Sequence, residues 1–256
     1  MTDAHPEDGS RETDTGDLKR TWVYDLVLGL LVVIVFTPVI YTQVLLRPHS
    51  DFPSHIYWAE QMMTSFKPDV PLDVIAHAGW QVLVIIIRAL AGTSFPISAL
   101  LATLTGIVLM ALVLFHWMKP ALRRQGISLW WGVGIALGLN LVTPIFLVYI
   151  FDRVLYFGYL GMTTYHNPTI ILLRPFAILQ LIFAVRGLEE RDSRRNQVLL
   201  AAVISVLATF IKPVFAICLL PALGLIMLYR LVKKQPINWK MLGLGLILPT
   251  VVMLGW

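Results

Sequence analysis

WVYDLVLGLLVVIVFTPVIYTQVLL, residues Trp22 to Leu46, carries a single charged side chain, Asp25, in 25 consecutive positions. A helix of about 20 apolar residues crosses the hydrocarbon core of a bilayer, so this run is long enough to span. No small-residue cleavage site follows its end, and it is therefore predicted to be an uncleaved anchor helix rather than a signal peptide. Ahead of it, Met1 to Thr21 is polar, rich in Asp, Glu, Thr and Gly, and nearly free of apolar residues. That composition predicts a disordered tail (1–21), with Lys19 and Arg20 set against the start of the anchor.

The whole chain extends the same pattern. It is 57% hydrophobic and 14% charged, with a mean hydropathy of +0.76. A soluble domain carries about 25% charged residues, so this chain has too few charges to cover a water-facing surface. The net charge of +5 is expected from basic cytoplasmic loops and does not point to nucleic acid. The one cysteine, Cys218, sits in an apolar run and forms no internal disulfide.

Further apolar runs cover Val74–Gly92, Ile97–Met118, Leu129–Phe151, Ile170–Val185, Val198–Leu231 and Met241–Trp256. The fold class is all-α, a polytopic transmembrane bundle occupying 22–256. Basic residues decide the expected topology. Lys119, Arg123 and Arg124 follow one run; Arg186, Arg191, Arg194 and Arg195 follow another; Arg230, Lys233, Lys234 and Lys240 follow a third. All three clusters are cytoplasmic, with the N-terminus also cytoplasmic, if Val74–Gly92 does not cross and if Val198–Leu231 is two helices broken at Lys212-Pro213. Arg88 and His77 support an interfacial position for Val74–Gly92, since a charge at mid-bilayer costs roughly 3 kcal/mol or more. About seven spanning helices are then expected, with interfacial helices within 51–92. Because the chain stops inside an apolar run at Met253-Leu254-Gly255-Trp256, it is expected to be a fragment lacking later helices.

On this topology the unusual polar residues gather on the outer side. One loop holds His49, Asp51, His55, Glu60, Asp69, Asp73 and His77; a second holds Asp152, Arg153, Tyr165, His166 and Asn167. Arg174 and Lys212 lie at the same edge. Between Ser50 and Phe66, the spacing of His55, Ala59, Met62, Met63 and Phe66 predicts an amphipathic helix in the interface, with Asp51 at its start.

An anchor helix, an acid opening the outer loop, an amphipathic helix, and a second apolar helix held on the outer face before the next span: this order resembles the GT-C superfamily of membrane glycosyltransferases. The matching positions here are Asp51, then His77-Ala78-Gly79-Trp80, Gln81 to Ala91, and Gly92-Thr93-Ser94-Phe95-Pro96-Ile97-Ser98-Ala99-Leu100. His166-Asn167-Pro168-Thr169, Arg174-Pro175-Phe176 and Lys212-Pro213-Val214-Phe215 are similar to patterns of bacterial members. The resemblance spans Trp22 to about Leu231 and implies transfer of a sugar from a polyprenyl-phosphate-linked donor to an acceptor at the outer face of the cell membrane.

Such chemistry needs a base for the acceptor hydroxyl. The resemblance and the position both point to Asp51, with His55 beside it as the second catalytic candidate. The competing role for Asp51 is a helix cap. The leaving lipid phosphate needs cations, for which Arg174 and Lys212 lead and Arg153 follows. Their competing role is snorkelling to headgroups. His166, Asn167 and Asp152 complete the substrate-binding candidates, although His166 also fits a plain turn ahead of Asn167-Pro168. No cofactor or metal is predicted; a divalent ion on His49, Asp51 and His55 is an open alternative that no spacing fixes. The expected partners are the lipid-linked donor and membrane lipid, with the acceptor undefined. A lipid-linked polysaccharide polymerase or ligase is the nearest rival. A transporter would show mid-bilayer polar sites and an internal repeat, and a scaffold would not need acids and histidines on one face. The topology is checked by cysteine labelling from outside: a cysteine at Asp69 should react, and cysteines at Ser128 and Asn196 should not. Reaction at the last two would invert the assignment.

Overall fold

Leu28, Val32, Phe36 and Ile40, one turn apart on the anchor helix, are at most 1% exposed, whereas Leu26, Leu30 and Ile34 are 52%, 53% and 68% exposed. An apolar stripe facing protein and an equally apolar face left open is the signature of a helix whose other neighbour is lipid. The computed structural model describes residues 14–46, 50–65, 70, 74–75, 77–141, 167–190 and 192–255, and among these there is helix but no strand. In order the helices are α1 (Asp14–Leu45), α2 (Phe52–Thr64), α3 (Gly79–Ala91), α4 (Phe95–Arg124), α5 (Leu129–Leu141), α6 (Pro168–Glu189), α7 (Arg195–Ile211), α8 (Val214–Val232) and α9 (Lys240–Leu254), the last π-wound over Lys240–Ile247. The protein is an all-α membrane protein. Thr21–Leu45 of α1, and α4, α6 and α8, are each long and apolar enough to cross a bilayer.

Half of the apolar window of α4 and of α6 is buried, against 22% for α1 and 17% for α8. The first two are therefore the centre of the bundle and the others its lipid-facing flanks. Around α4 pack α1, α2, α3, α5 and α6, and one core runs through them from Leu28 and Phe36 to Phe115, Val133 and Ile171. A second core joins the far half of α6 to α7, α8 and α9 through Phe183, Ala201, Leu223, Met241 and Leu246. Asp25 is tolerated in the anchor because its Oδ1 lies 3.0 Å from Nε2 of His116 on α4.

Three details position the outer-loop residues. At 13 residues, α3 rises about 20 Å, less than the roughly 30 Å hydrocarbon core. Its Arg88 lies at the C-terminal end, where the guanidinium donates to the Thr93 carbonyl and sits 4.3 Å from the Phe95 ring centroid. On α2 the fully buried residues are Phe52 and Ala59, while Met63 is 45% exposed. Of the face that periodicity favoured, Ala59 is thus buried, His55 and Met62 are partly buried, and Met63 near the C-terminal end is exposed. The run Val198–Leu231 breaks at Lys212-Pro213, which separates α7 from α8.

Two glycines let backbones touch, which is how helices associate where water supplies no driving force between them. A Cβ on Gly106 of α4 would lie 3.1 Å from Cα of Leu172 on α6, and one on Gly79 of α3 would lie 2.9 Å from Cα of Ile211 on α7. The second contact butts the start of α3 against the end of α7, one residue before Lys212. Gly79→Ala should therefore cost about 1–3 kcal/mol despite alanine's better helix propensity, because two of the three nearest opposing atoms are Ile211 backbone and cannot swing away. Thermal unfolding in detergent checks this, with Gly134→Ala, which meets nothing within 4 Å, as a control expected to be neutral. A Gly79→Ala variant as stable as that control would refute the contact.

Candidate active site at the meeting of four helix ends

Asn167 closes the N-terminus of α6. Its Oδ1 accepts from the Ile170 amide at 3.1 Å and from the Thr169 hydroxyl at 2.7 Å. With the oxygen committed to the first turn, the amide nitrogen must face the other way, and there it donates to Oδ2 of Asp51 at 2.7 Å. Thr169 is buried and its hydroxyl in turn accepts from Nζ of Lys212 at 3.3 Å. A continuous polar chain thus joins Lys212, at the α7–α8 break, to Asp51, at the start of α2, across the first turn of α6.

Asp51 does not use its side chain to cap α2. Its backbone is in the right-handed helical region (φ −71°, ψ −14°) and its carboxylate makes no capping bond; the main-chain carbonyl accepts from the His55 amide at 3.1 Å. The carboxylate is directed across the site to another helix, at an N-terminus whose dipole favours anions.

One turn on, His55 stands edge-on to Trp58 and Trp80, with centroids 5.0 and 5.9 Å away. Its Nδ1 lies 2.8 Å from Nε2 of Gln81 on α3. Burial lowers its pKa to about 4; Asp51 pulls the other way and Lys212 adds to the lowering. His55 is therefore neutral at pH 7. An amide N–H donating to Nδ1 leaves the proton on Nε2, so the ring offers a hydrogen-bond donor. His55 thus stands beside Asp51, where the sequence placed a second catalytic candidate, as a neutral ring. Burial likewise lowers the pKa of Lys212, and Asp51 offsets part of it. Both Gln81 and Trp80 are fully buried, and among the described residues Gln81 Oε1 and Trp80 Nε1 have no hydrogen-bond partner.

The structure brings together Asp51, His55, Asn167 and Lys212 of the sequence-derived candidates. Arg174 lies half-buried two turns into α6, at a seven-residue spacing from Asn167 that returns to about the same helix face. Asp152, Arg153 and His166 lie outside the described residues, as do His49, Asp69 and Asp73. Among the described residues no three His, Cys, Asp or Glu side chains converge as metal ligands. Sequence reasoning missed Gln81 and Thr169. The only available signal for Gln81 was one amide inside an otherwise apolar run, and for Thr169 its place two residues after a capping asparagine.

No protein-family model matches this chain, and neither curated proteins nor solved structures include a significant match to it. The site is therefore read on its own chemistry.

The His55 assignment has a pH consequence. An unfolded His takes up a proton near its ordinary value of 6.5, but the folded ring resists protonation until about pH 4. A depressed pKa of this kind contributes stability that is complete above the unfolded value and is lost as pH falls through the folded one. Unfolding free energy in detergent should drop by up to about 3 kcal/mol more in the parent than in His55→Gln between pH 6.5 and 4. Parallel curves for the two proteins would show that the ring is not held neutral.

Proposed function

We propose that this chain is a membrane glycosyltransferase of the GT-C type, moving a sugar from a polyprenyl-phosphate-linked donor to an acceptor hydroxyl at the outer face of the cell membrane. The observation that carries the reading is the Asp51–Asn167–Thr169–Lys212 chain: an oriented carboxylate and a half-buried ammonium share one site at the ends of apolar helices. In the reaction, Asp51 accepts the proton of the acceptor hydroxyl as its oxygen attacks the anomeric carbon. The bond from that carbon to the lipid phosphate oxygen breaks, with inversion, and the phosphate leaves as an anion. Lys212 holds the developing charge and Arg174 assists from the next turns of α6. Asn167 positions the carboxylate, and Nε2–H of His55 donates to a sugar or phosphate oxygen. Asp152, Arg153 and His166 remain the further binding residues expected from the sequence. The N-terminus and the ends carrying Arg124 and Arg186 are cytoplasmic on this reading.

The decisive comparison is Asp51→Asn. Asparagine keeps the hydrogen-bonding shape and removes the base, so transfer in proteoliposomes supplied with a panel of polyprenyl-phosphate sugars should fall by roughly 100-fold or more while donor binding persists. Lys212→Gln should weaken donor binding as well as the rate. Near-parental transfer by Asp51→Asn would end the assignment of the base. A parent protein that transfers none of the panel's sugars would end the glycosyltransferase reading.

A further inference from the structure

Where α4 and α6 touch at Gly106 and Leu172 they are in backbone contact; toward their C-terminal ends they part, and a cleft of about 650 Å³ opens between them. Its walls include Leu114 from α4 and Ile178, Leu181 and Val185 from α6, with Arg124 and Arg186 at its far end. The axial distance from Leu172 to Arg186 is about 21 Å at 1.5 Å per residue. The cleft thus lies at the opposite end of α6 from Asn167, in the other leaflet if α6 crosses. Its lining is mainly apolar, and the residues at its far end include two arginines from different helices and one acid, Glu189. Arg124 and Arg186 are both exposed, and Arg124 is steadied by its Nε donating to the Pro120 carbonyl at 3.3 Å.

We propose that this cleft is a binding site for an anionic glycerophospholipid of the bilayer. One acyl chain lies along the Leu114–Ile178–Val185 walls, and the phosphate sits between Arg124 and Arg186. Two observations select this occupant. Between two helices that are both long and apolar enough to cross, the medium that fills an apolar cleft is lipid. A zwitterionic headgroup would pair its phosphate with a cation of its own and leave the two guanidiniums of the lining in surplus over its one carboxylate, whereas the net negative charge of an anionic headgroup offsets that surplus and its phosphate matches the guanidinium fork. The proposal rests on surfaces far from Asp51 and does not depend on the proposed transfer reaction.

Native mass spectrometry of the full chain in detergent, with dioleoyl phosphatidylglycerol and dioleoyl phosphatidylcholine added in equal amounts, tests it. The parent should retain phosphatidylglycerol in preference. The pair Arg124→Gln with Arg186→Gln should reduce that preference about 30-fold, taking each surface cation at its usual contribution. Arg195→Gln, outside the cleft, should leave it unchanged. Ile178→Trp, which fills the cleft without altering charge, should reduce retention of both lipids. Equal retention of the two lipids by the parent, or a charge preference that survives in the double variant, would overturn the proposal; so would full retention in Ile178→Trp.

Discussion

The side-chain amide of Asn167 has one orientation open to it, and the outer end of the bundle is organised around that fact. The first turn of a helix leaves backbone N–H groups without partners, and the oxygen of an asparagine at the cap position answers one of them. Here it answers the Ile170 amide and receives the Thr169 hydroxyl as well. Swapping oxygen and nitrogen would set an N–H against both donors. The nitrogen is consequently fixed outward, and the Asp51 carboxylate is fixed upon it. A local rule about helix ends thereby sets the direction of a carboxylate 116 residues away in sequence.

That arrangement requires the helix ends to come close, and the glycines make the approach. Gly106 lets α6 lie against α4, so the first turn of α6 reaches the level of α2; Gly79 lets α3 meet the end of α7, so Gln81 and Lys212 converge on the same space. Lys212 owes its position to the following proline, since the chain cannot continue α7 through Pro213 without losing a main-chain hydrogen bond. The ammonium is left at the break, half-buried, with Thr169 as its partner.

The helical class and the break at Lys212-Pro213 were legible in the sequence because both follow from local rules, the length of apolar runs and the missing N–H of proline. Asp51 and Lys212 stood out for a related reason: a charge beside a long apolar run is conspicuous. The pairing of Asp51 with Asn167 was not legible, since spacing along one helix says nothing of which helix ends meet. Nor was the state of His55. A histidine beside an aspartate reads as a protonatable pair, and only the packing of Trp58, Trp80 and Gln81 around it makes desolvation outweigh the carboxylate. On α2 the spacing anticipated the burial of Ala59 and the partial burial of His55 and Met62, but not the exposure of Met63. Methionine counts as apolar in any periodicity, but Phe52 has Trp80 to pack on, at 6.1 Å between centroids, and Met63 is left exposed.

A neutral His55 changes what the site offers. Were the ring protonated, Asp51 would face two cations, His55 and Lys212. With the ring neutral, the ammonium of Lys212 acts on both His55 and Asp51, and Thr169 and Asn167 link it to the carboxylate in a hydrogen-bonded chain. On the proposed reading the two charged ends of that chain have different tasks, Asp51 accepting a proton and Lys212 steadying an anion. The intervening asparagine and threonine fix where those two ends stand relative to one another.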